Sequence, residues 1–180
     1  MEEFAKAYKV VTKTLDTVIL RVVKYMKDHG ITVSAAESCT GGLVCESITN
    51  VPGASEIFLG GVVSYSESVK VSILGVSEKT LLEKSVYSPQ VASQMSKGVM
   101  RVTDSDASVG ITGIAGPGNG PKGEPVGTVY VSARFKGKEK CRDLALYKEY
   151  EKLDRKTVRY LAAAGALEML LDLMRENEGE

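Results

Sequence analysis

Residue types suited to acyl chemistry are concentrated in the segment AAESCTGG, residues 35–42. Ser38 stands between a predicted strand and a predicted helix, where α/β sheets place their ligands. Gly41 and Gly42 let backbone amides approach a bound group closely, and a helix N-terminus favours negative charge. The segment suits a nucleophilic serine whose oxyanion is held by the amides of Thr40, Gly41 and Gly42. The local pattern alone favours a plainer interpretation, in which Ser38 or Thr40 caps the helix.

The base for such a serine has to be sought without histidine. The single histidine, His29, precedes Gly30 in the sequence KDHGIT, and this pattern is a helix-stop signal. No Ser–His or Cys–His pair and no histidine-rich metal site is then expected. Cys39 is a rival nucleophile because a helix N-terminus favours its thiolate, but it ranks below Ser38 since no histidine activates it. The base must therefore be Lys, Asp, Glu or Tyr.

Tyr65 and Lys70, in the segment YSESVK, provide a candidate base. A strand is expected to run into a helix here, so Tyr65 can end the strand while Lys70 lies in the first helical turn. A lysine acts as a base when burial lowers its pKa by about three units. Taken alone, the segment favours a solvated surface lysine, because buried lysines are rare.

Two later segments are candidates for binding an anion. Seven glycines stand from Gly110 to Gly127 inclusive, more than a turn needs. Thr112, Gly113 and Gly116 follow directly on a predicted strand, which suits a rigid anion-cradling turn, although a flexible Pro-Gly loop is the plain alternative. Further on, Arg155 and Arg159 fall on one face of the last predicted helix, where they could clamp a phosphate or simply form ion pairs with nearby acidic residues.

Helices alternate with about five strands along the chain, which predicts a mixed sheet with helices on both faces. Strands are expected at 31–36, 57–66, 107–112, 126–135 and 140–147, the last two in a hairpin; helices are expected at 41–49, 68–74, 77–84, 88–102 and 154–174. Residues 175–180, RENEGE, are expected to be frayed.

Apolar residues near the start of the chain alternate in steps of four and three, which predicts either one long helix or a short one followed by a helix over about 15–28. They are Phe4, Tyr8, Val11, Leu15, Val18, Val22 and Tyr25. Residues 1–13 are interpreted as a helical extension. The pattern fits core packing, or packing on a second subunit in a homo-oligomer such as a dimer.

The composition describes one domain of 180 residues with 23 basic and 23 acidic side chains. A neutral chain lacks the field that holds a polyanion, so nucleic acid is disfavoured as the main partner. The start of the chain lacks a signal-peptide pattern, and no apolar run reaches the length of a membrane span. Three cysteines without CxxC spacing argue against a disulfide framework or zinc site and suit the cytoplasm.

Four segments occur in a specific order: AESCTGG, SYSESVK, TGIAGPGNG and EPVGTV. From about Leu15 to Leu173 the chain resembles the CinA carboxy-terminal domain family, which is similar to nicotinamide-nucleotide amidohydrolases, also called NMN deamidases. The resemblance implies a three-layer α/β/α domain. It also implies hydrolysis of the carboxamide of a pyridine nucleotide, nicotinamide mononucleotide, to nicotinate mononucleotide and ammonia, without metal or cofactor.

Residue roles follow from the same resemblance. The family's serine falls on Ser38, its tyrosine on Tyr65, its lysine on Lys70 and its late arginines on Arg155 and Arg159. Neutral Lys70 would take the proton of Ser38, whose oxygen attacks the amide carbonyl. Tyr65 would bridge the proton between Lys70 and the departing ammonia, and water would release the acyl-serine.

Three positions depart from the family pattern: Glu67 stands where Asn is usual, Asn119 replaces a Gly and Glu124 replaces a Lys. A lost positive charge near a phosphate loop weakens nucleotide binding, and a carboxylate close to Lys70 raises its pKa. These departures favour an alternative function, a module that binds a nucleotide without cleaving it. A third hypothesis, a partner-binding protein in DNA uptake or damage response, rests only on the family's name.

Overall fold

The computed structural model describes residues 2–150 and 152–179, with side chains from residue 12 onward. Within them, five strands form one sheet in the order β2-β1-β3-β4-β5. Strand β1 is parallel to β2 and β3, whereas β4 is antiparallel to β3 and β5. This confirms the predicted mixed sheet. The strands are β1 (Val33–Glu37), β2 (Phe58–Val63), β3 (Ala107–Gly113), β4 (Val129–Phe135) and β5 (Lys138–Asp143).

Helices cover both faces of the sheet, as predicted. They are α1 (Glu2–His29), α2 (Leu43–Thr49), α3 (Glu67–Ser72), α4 (Glu78–Lys84), α5 (Pro89–Thr103) and α6 (Arg155–Glu178). One face packs on α1 and α6 in the larger hydrophobic core. The other face packs on α5, which forms a second core with Ala36 of β1 and with Leu74 and Val76 between α3 and α4. None of the described helices combines the length and the apolar character that a membrane span requires.

The first helix is continuous, which settles the choice between one helix and two. Leu15, Val18, Val22 and Tyr25 are buried along one side of it, as the apolar spacing predicts. The predicted apolar positions before residue 12 fall outside the described side chains. The helix ends at His29, and Gly30 follows with a φ of 62°, in agreement with the helix-stop signal.

The end of the chain differs from the prediction of a frayed segment. Helix α6 continues to Glu178. Lys136 forms a salt bridge of 2.5 Å with Glu178, and Lys140 pairs with Glu176, so the β4–β5 hairpin holds the last turns of the helix. The hairpin turns tightly because Lys136 and Gly137 both have positive φ, which is why β5 begins two residues earlier than predicted.

Candidate active site

Ser38 and Lys70 meet where β1 ends. Ser38 follows the last residue of β1, and its amide donates a hydrogen bond of 3.0 Å to the carbonyl oxygen of Ile111 in β3. Lys70 comes from α3, whose N-cap Ser66 accepts the amide of Val69. The Nζ of Lys70 donates to the Oγ of Ser38 at 3.0 Å. Both side chains are buried.

Lys70 is completely buried rather than solvated, contrary to what the segment alone favours. Its Nζ also donates to the carbonyl oxygen of Ser64 at 2.5 Å. Burial lowers the pKa of Lys70 from 10.5 to about 8, although the carboxylate of Glu67 acts in the opposite direction. Glu67 therefore raises the pKa as expected, but burial has the larger effect. A lysine with this pKa is neutral in about one molecule in ten at pH 7.

The turn after Ser38 is organised by a buried carboxylate, that of Glu37. Its side-chain oxygens accept the amides of Gly42 at 2.9 Å, Val44 at 3.1 Å and Cys45 at 2.9 Å. The start of α2 is therefore already occupied by an internal anion. Gly41 and Gly42 have φ values of 61° and 97°, which explains the need for glycine in this turn.

This arrangement corrects the predicted oxyanion donors. The Gly42 amide is bound to Glu37, and the Gly41 amide donates to the carbonyl of Ser38 at 3.1 Å. In the described part of the chain, the amides of Cys39 and Thr40 have no oxygen acceptor. The residue after a nucleophilic serine is a common oxyanion donor. Cys39 and Thr40 are therefore the better candidates in this turn.

Cys39 is not a competing nucleophile in this structure. Its side chain is buried beside the pair, and burial raises the pKa of its thiol to about 12. The thiol is therefore protonated at neutral pH, and a protonated thiol is a poor nucleophile. The ranking of Ser38 above Cys39 is consistent with this.

A cavity of about 280 Å³ opens beside the Ser38–Lys70 pair. Its walls come from the end of β1, the β2–α3 connection, Tyr87, the glycine-rich loop after β3 and the start of α6. Six of the eleven predicted site residues line it: Ser38, Tyr65, Lys70, Gly113, Gly116 and Arg155. Among the described residues, no group of three or more His, Cys, Asp or Glu side chains is placed to hold a metal ion.

Arg155 connects three segments at the cavity. It donates from Nη1 to the carbonyl oxygen of Gly116 and from Nη2 to the hydroxyl of Tyr65, each at 2.8 Å. The Tyr65 side chain is 63% exposed, and within the described residues its hydroxyl has no hydrogen bond to Ser38 or Lys70. The predicted proton bridge through Tyr65 is thus not formed in this arrangement.

Arg159 has a different role from Arg155. Its Nε and Nη2 donate to the carbonyl oxygen of Thr40 at 3.1 and 2.7 Å. These two bonds hold the turn that carries Ser38, and Arg159 does not line the cavity. The side chain of Thr112 is also turned away, since its hydroxyl donates to the carbonyl of Val86 at 2.9 Å. The two arginines therefore do not form the predicted joint clamp.

The three departures from the family pattern occupy different positions. Glu67 and Asn119 line the cavity. Glu124 does not: one carboxylate oxygen accepts the amide of Lys122 at 2.9 Å, which stabilises the glycine-rich loop internally. The Glu124 carboxylate thus stabilises the conformation of the loop near the cavity.

Two contributors to the site were not predicted from the sequence. Glu37 belongs to the AESCTGG motif, and a carboxylate shortly before a helix N-terminus is a signal that could have identified it as the acceptor of the helix amides. Ser64 acts through its carbonyl oxygen, for which a side-chain pattern gives no signal.

Comparison with known proteins gives matches over most of the chain. A family model described as the CinA C-terminal domain matches residues 15–174. A putative competence-damage inducible protein of Moorella thermoacetica is 41% identical over 145 residues, which cover 81% of this chain and 34% of that protein. A CinA-like protein of Thermotoga neapolitana is 41% identical over 155 residues, which cover 86% of this chain and 36% of that protein. The chain thus spans about a third of the length of these relatives.

Solved structures show the same architecture. A competence/damage inducible protein from Agrobacterium tumefaciens superposes with a TM-score of 0.83 at 33% identity, covering 89% of this chain and 95% of that one. A CinA superfamily protein from Escherichia coli superposes with a TM-score of 0.83 at 30% identity, covering 90% of this chain and 91% of that one.

Proposed function

Because the chain belongs to the CinA C-terminal domain family, we propose that it hydrolyses the carboxamide of nicotinamide mononucleotide. Ser38 is the nucleophile and Lys70 its base. The products are nicotinate mononucleotide and ammonia.

The observation that carries this proposal is the buried hydrogen bond between Lys70 and Ser38, 3.0 Å long, at the edge of a cavity. A nucleophile within hydrogen-bond reach of a base is the arrangement that serine hydrolases without histidine require. The pKa of Lys70, lowered to about 8 by burial, makes a neutral amine available near neutral pH.

The reaction is proposed to proceed in two halves. Neutral Lys70, held by the carbonyl of Ser64, accepts the proton of the Ser38 hydroxyl as Oγ forms a bond to the carboxamide carbon. The protonated Lys70 then gives this proton to the amide nitrogen, the C–N bond breaks and ammonia leaves. Water attacks the acyl-serine with Lys70 again taking a proton, which returns to Ser38 as the acid is released.

Three further groups support these steps. The amides of Cys39 and Thr40 are proposed to hold the oxyanion. Arg155 and the loop around Gly116 are proposed to bind the phosphate, since Arg155 faces the cavity with both bonds made to uncharged oxygens. Tyr65 is proposed to hold Arg155 in place, because its hydroxyl is bound to that guanidinium group.

Release of ammonia from nicotinamide mononucleotide by the purified protein tests the proposal. Ser38→Ala is expected to reduce the rate by at least about a thousandfold, since the covalent route is lost. Ser55→Ala, at an exposed serine that does not line the cavity, is the matched control and should keep the full rate. An unchanged rate in Ser38→Ala would show that the serine has another role.

One observation favours the second candidate, a module that binds a nucleotide without cleaving it. The amides of Gly41 and Gly42, the predicted oxyanion donors, are engaged within the protein. Calorimetry separates the two functions, because binding of the mononucleotide without ammonia release would support the binding module.

A further inference from the structure

Two opposite charges, on Glu67 and Arg155, line the cavity, and neither forms a salt bridge with a described residue. Glu67 has no hydrogen bond or salt bridge to any described residue. Arg155 donates to the Tyr65 hydroxyl and to the Gly116 carbonyl, both uncharged, and no described carboxylate lies within salt-bridge distance of it. A ligand that satisfies both groups carries a positive charge and a negative charge.

The position of Glu67 indicates where the positive charge lies. Glu67 and Lys70 are three residues apart on α3, so they share one face of that helix. A carboxamide whose carbon reaches Ser38 places the ring that bears it beside this face. Arg155, bound to the loop at Gly116, marks the other part of the cavity, where an anionic group binds.

The catalytic state strengthens this assignment. When Lys70 is neutral, as a base must be, the Glu67 carboxylate has no neighbouring lysine cation to offset its charge. A cationic ring then provides the missing positive charge. Tyr87 also lines the cavity, and an aromatic ring attracts a cation that approaches its face.

We propose that Glu67 is a specificity-determining residue that selects carboxamides borne on a cationic ring over the same carboxamides on a neutral ring. The inference rests on the proposed function only for the position of the ring at Ser38. It concerns recognition, so binding can test it without turnover.

Calorimetry on Ser38→Ala protein measures the preference directly. The two probes are nicotinamide mononucleotide, whose ring is cationic, and its 1,4-dihydro form, which has the same ribose and phosphate on a neutral ring. The ratio of the two dissociation constants is then compared with that of Ser38→Ala/Glu67→Gln. Ser38→Ala/Glu78→Gln is the matched control, since Glu78 is also the first residue of a helix but does not line the cavity.

Glu67→Gln is expected to reduce the preference for the cationic probe about two- to fivefold, as for an accessible charge pair. Glu78→Gln should leave it unchanged. An equal ratio in all three proteins, or binding of neither probe, would overturn the inference. Ammonia release by the unsubstituted protein tests the proposed hydrolase activity separately. A preference that depends on Glu67 without ammonia release would support the role of Glu67 and reject the hydrolase. Ammonia release with an unaltered ratio of dissociation constants would support the hydrolase and reject the role of Glu67.

Discussion

Lys70 and Ser38 lie in contact although 32 positions separate them and they belong to different elements. Ser38 is fixed by its amide bond to Ile111, and Lys70 is fixed by its bond to the carbonyl of Ser64. Because the backbone holds each partner independently, the pair is formed before any substrate arrives. This preorganisation is what a proton transfer between them requires.

The pH dependence of ammonia release should follow the titration of Lys70. Only the neutral amine accepts a proton, so kcat/KM is expected to rise about tenfold per pH unit below pH 8 and to level above it. Glu67→Gln should move the midpoint to lower pH, because the Glu67 carboxylate raises the pKa of Lys70. Glu78→Gln should leave the midpoint in place. A rate independent of pH between 6 and about 9 would exclude Lys70 as the base.

The burial of Lys70 should also appear in the stability of the protein. Its pKa is about 8 in the folded protein and near 10.5 when unfolded, so between these values the unfolded chain binds more protons. The free energy of unfolding therefore rises with pH in this window. From pH 7 to 10, wild type should gain about 2 to 3 kcal/mol relative to Lys70→Met, measured by urea denaturation. Parallel curves for the two proteins would contradict the lowered pKa.

The sequence predicted the elements of this site better than their contacts. The strand–turn–helix at Ser38 is found, since it depends on a local pattern. The passage from β2 to α3 is also found, but β2 ends at Val63, so Tyr65 lies in the connection and not at the end of the strand. That Lys70 is buried depends on α3 packing over the end of β1, which residue types within the segment do not specify. The segment taken alone favoured a solvated lysine for this reason.

The predicted anion sites also depended on contacts between distant segments, which a local sequence pattern does not specify. The glycines in the turn after Ser38 correctly indicated an unusual backbone conformation. They did not indicate which acceptor would bind the amides of that turn. Glu37, in the preceding strand, takes them. Likewise, Arg155 and Arg159 share a helix face, yet they reach different loops because the loops come from β1 and β3.

Glu37→Gln should destabilise the fold. The carboxylate accepts three amides in a fully buried position, and an amide group in its place directs donors at donors. We expect the free energy of unfolding to fall by about 2 to 4 kcal/mol in urea titrations. Glu46→Gln, an exposed position on α2, should change it by less than about 0.5 kcal/mol. Equal stability of the two variants would mean that Glu37 does not organise the turn.

Arg159→Met and Arg155→Met should separate turn stability from ligand binding. Arg159 makes two bonds to the Thr40 carbonyl, so its loss should lower the free energy of unfolding by about 1 to 3 kcal/mol and also lower kcat. Arg155 is exposed, and its loss should affect stability little. It should instead raise KM for the mononucleotide, but not for nicotinamide riboside, which lacks the phosphate. A rise in KM for both substrates would exclude Arg155 as the phosphate ligand.

Tyr65→Phe distinguishes a positioning role from proton transfer. The Tyr65 hydroxyl accepts a hydrogen bond from Arg155 and has no described bond to the Ser38–Lys70 pair. Its removal should therefore raise KM for the mononucleotide a few-fold and leave kcat within about threefold of wild type. Tyr147→Phe, on an exposed tyrosine that does not line the cavity, should leave both constants unchanged. A fall in kcat of about a hundredfold or more in Tyr65→Phe, with KM unchanged, would instead identify Tyr65 as the proton bridge expected from the family resemblance, and would require the side chain to move when substrate binds.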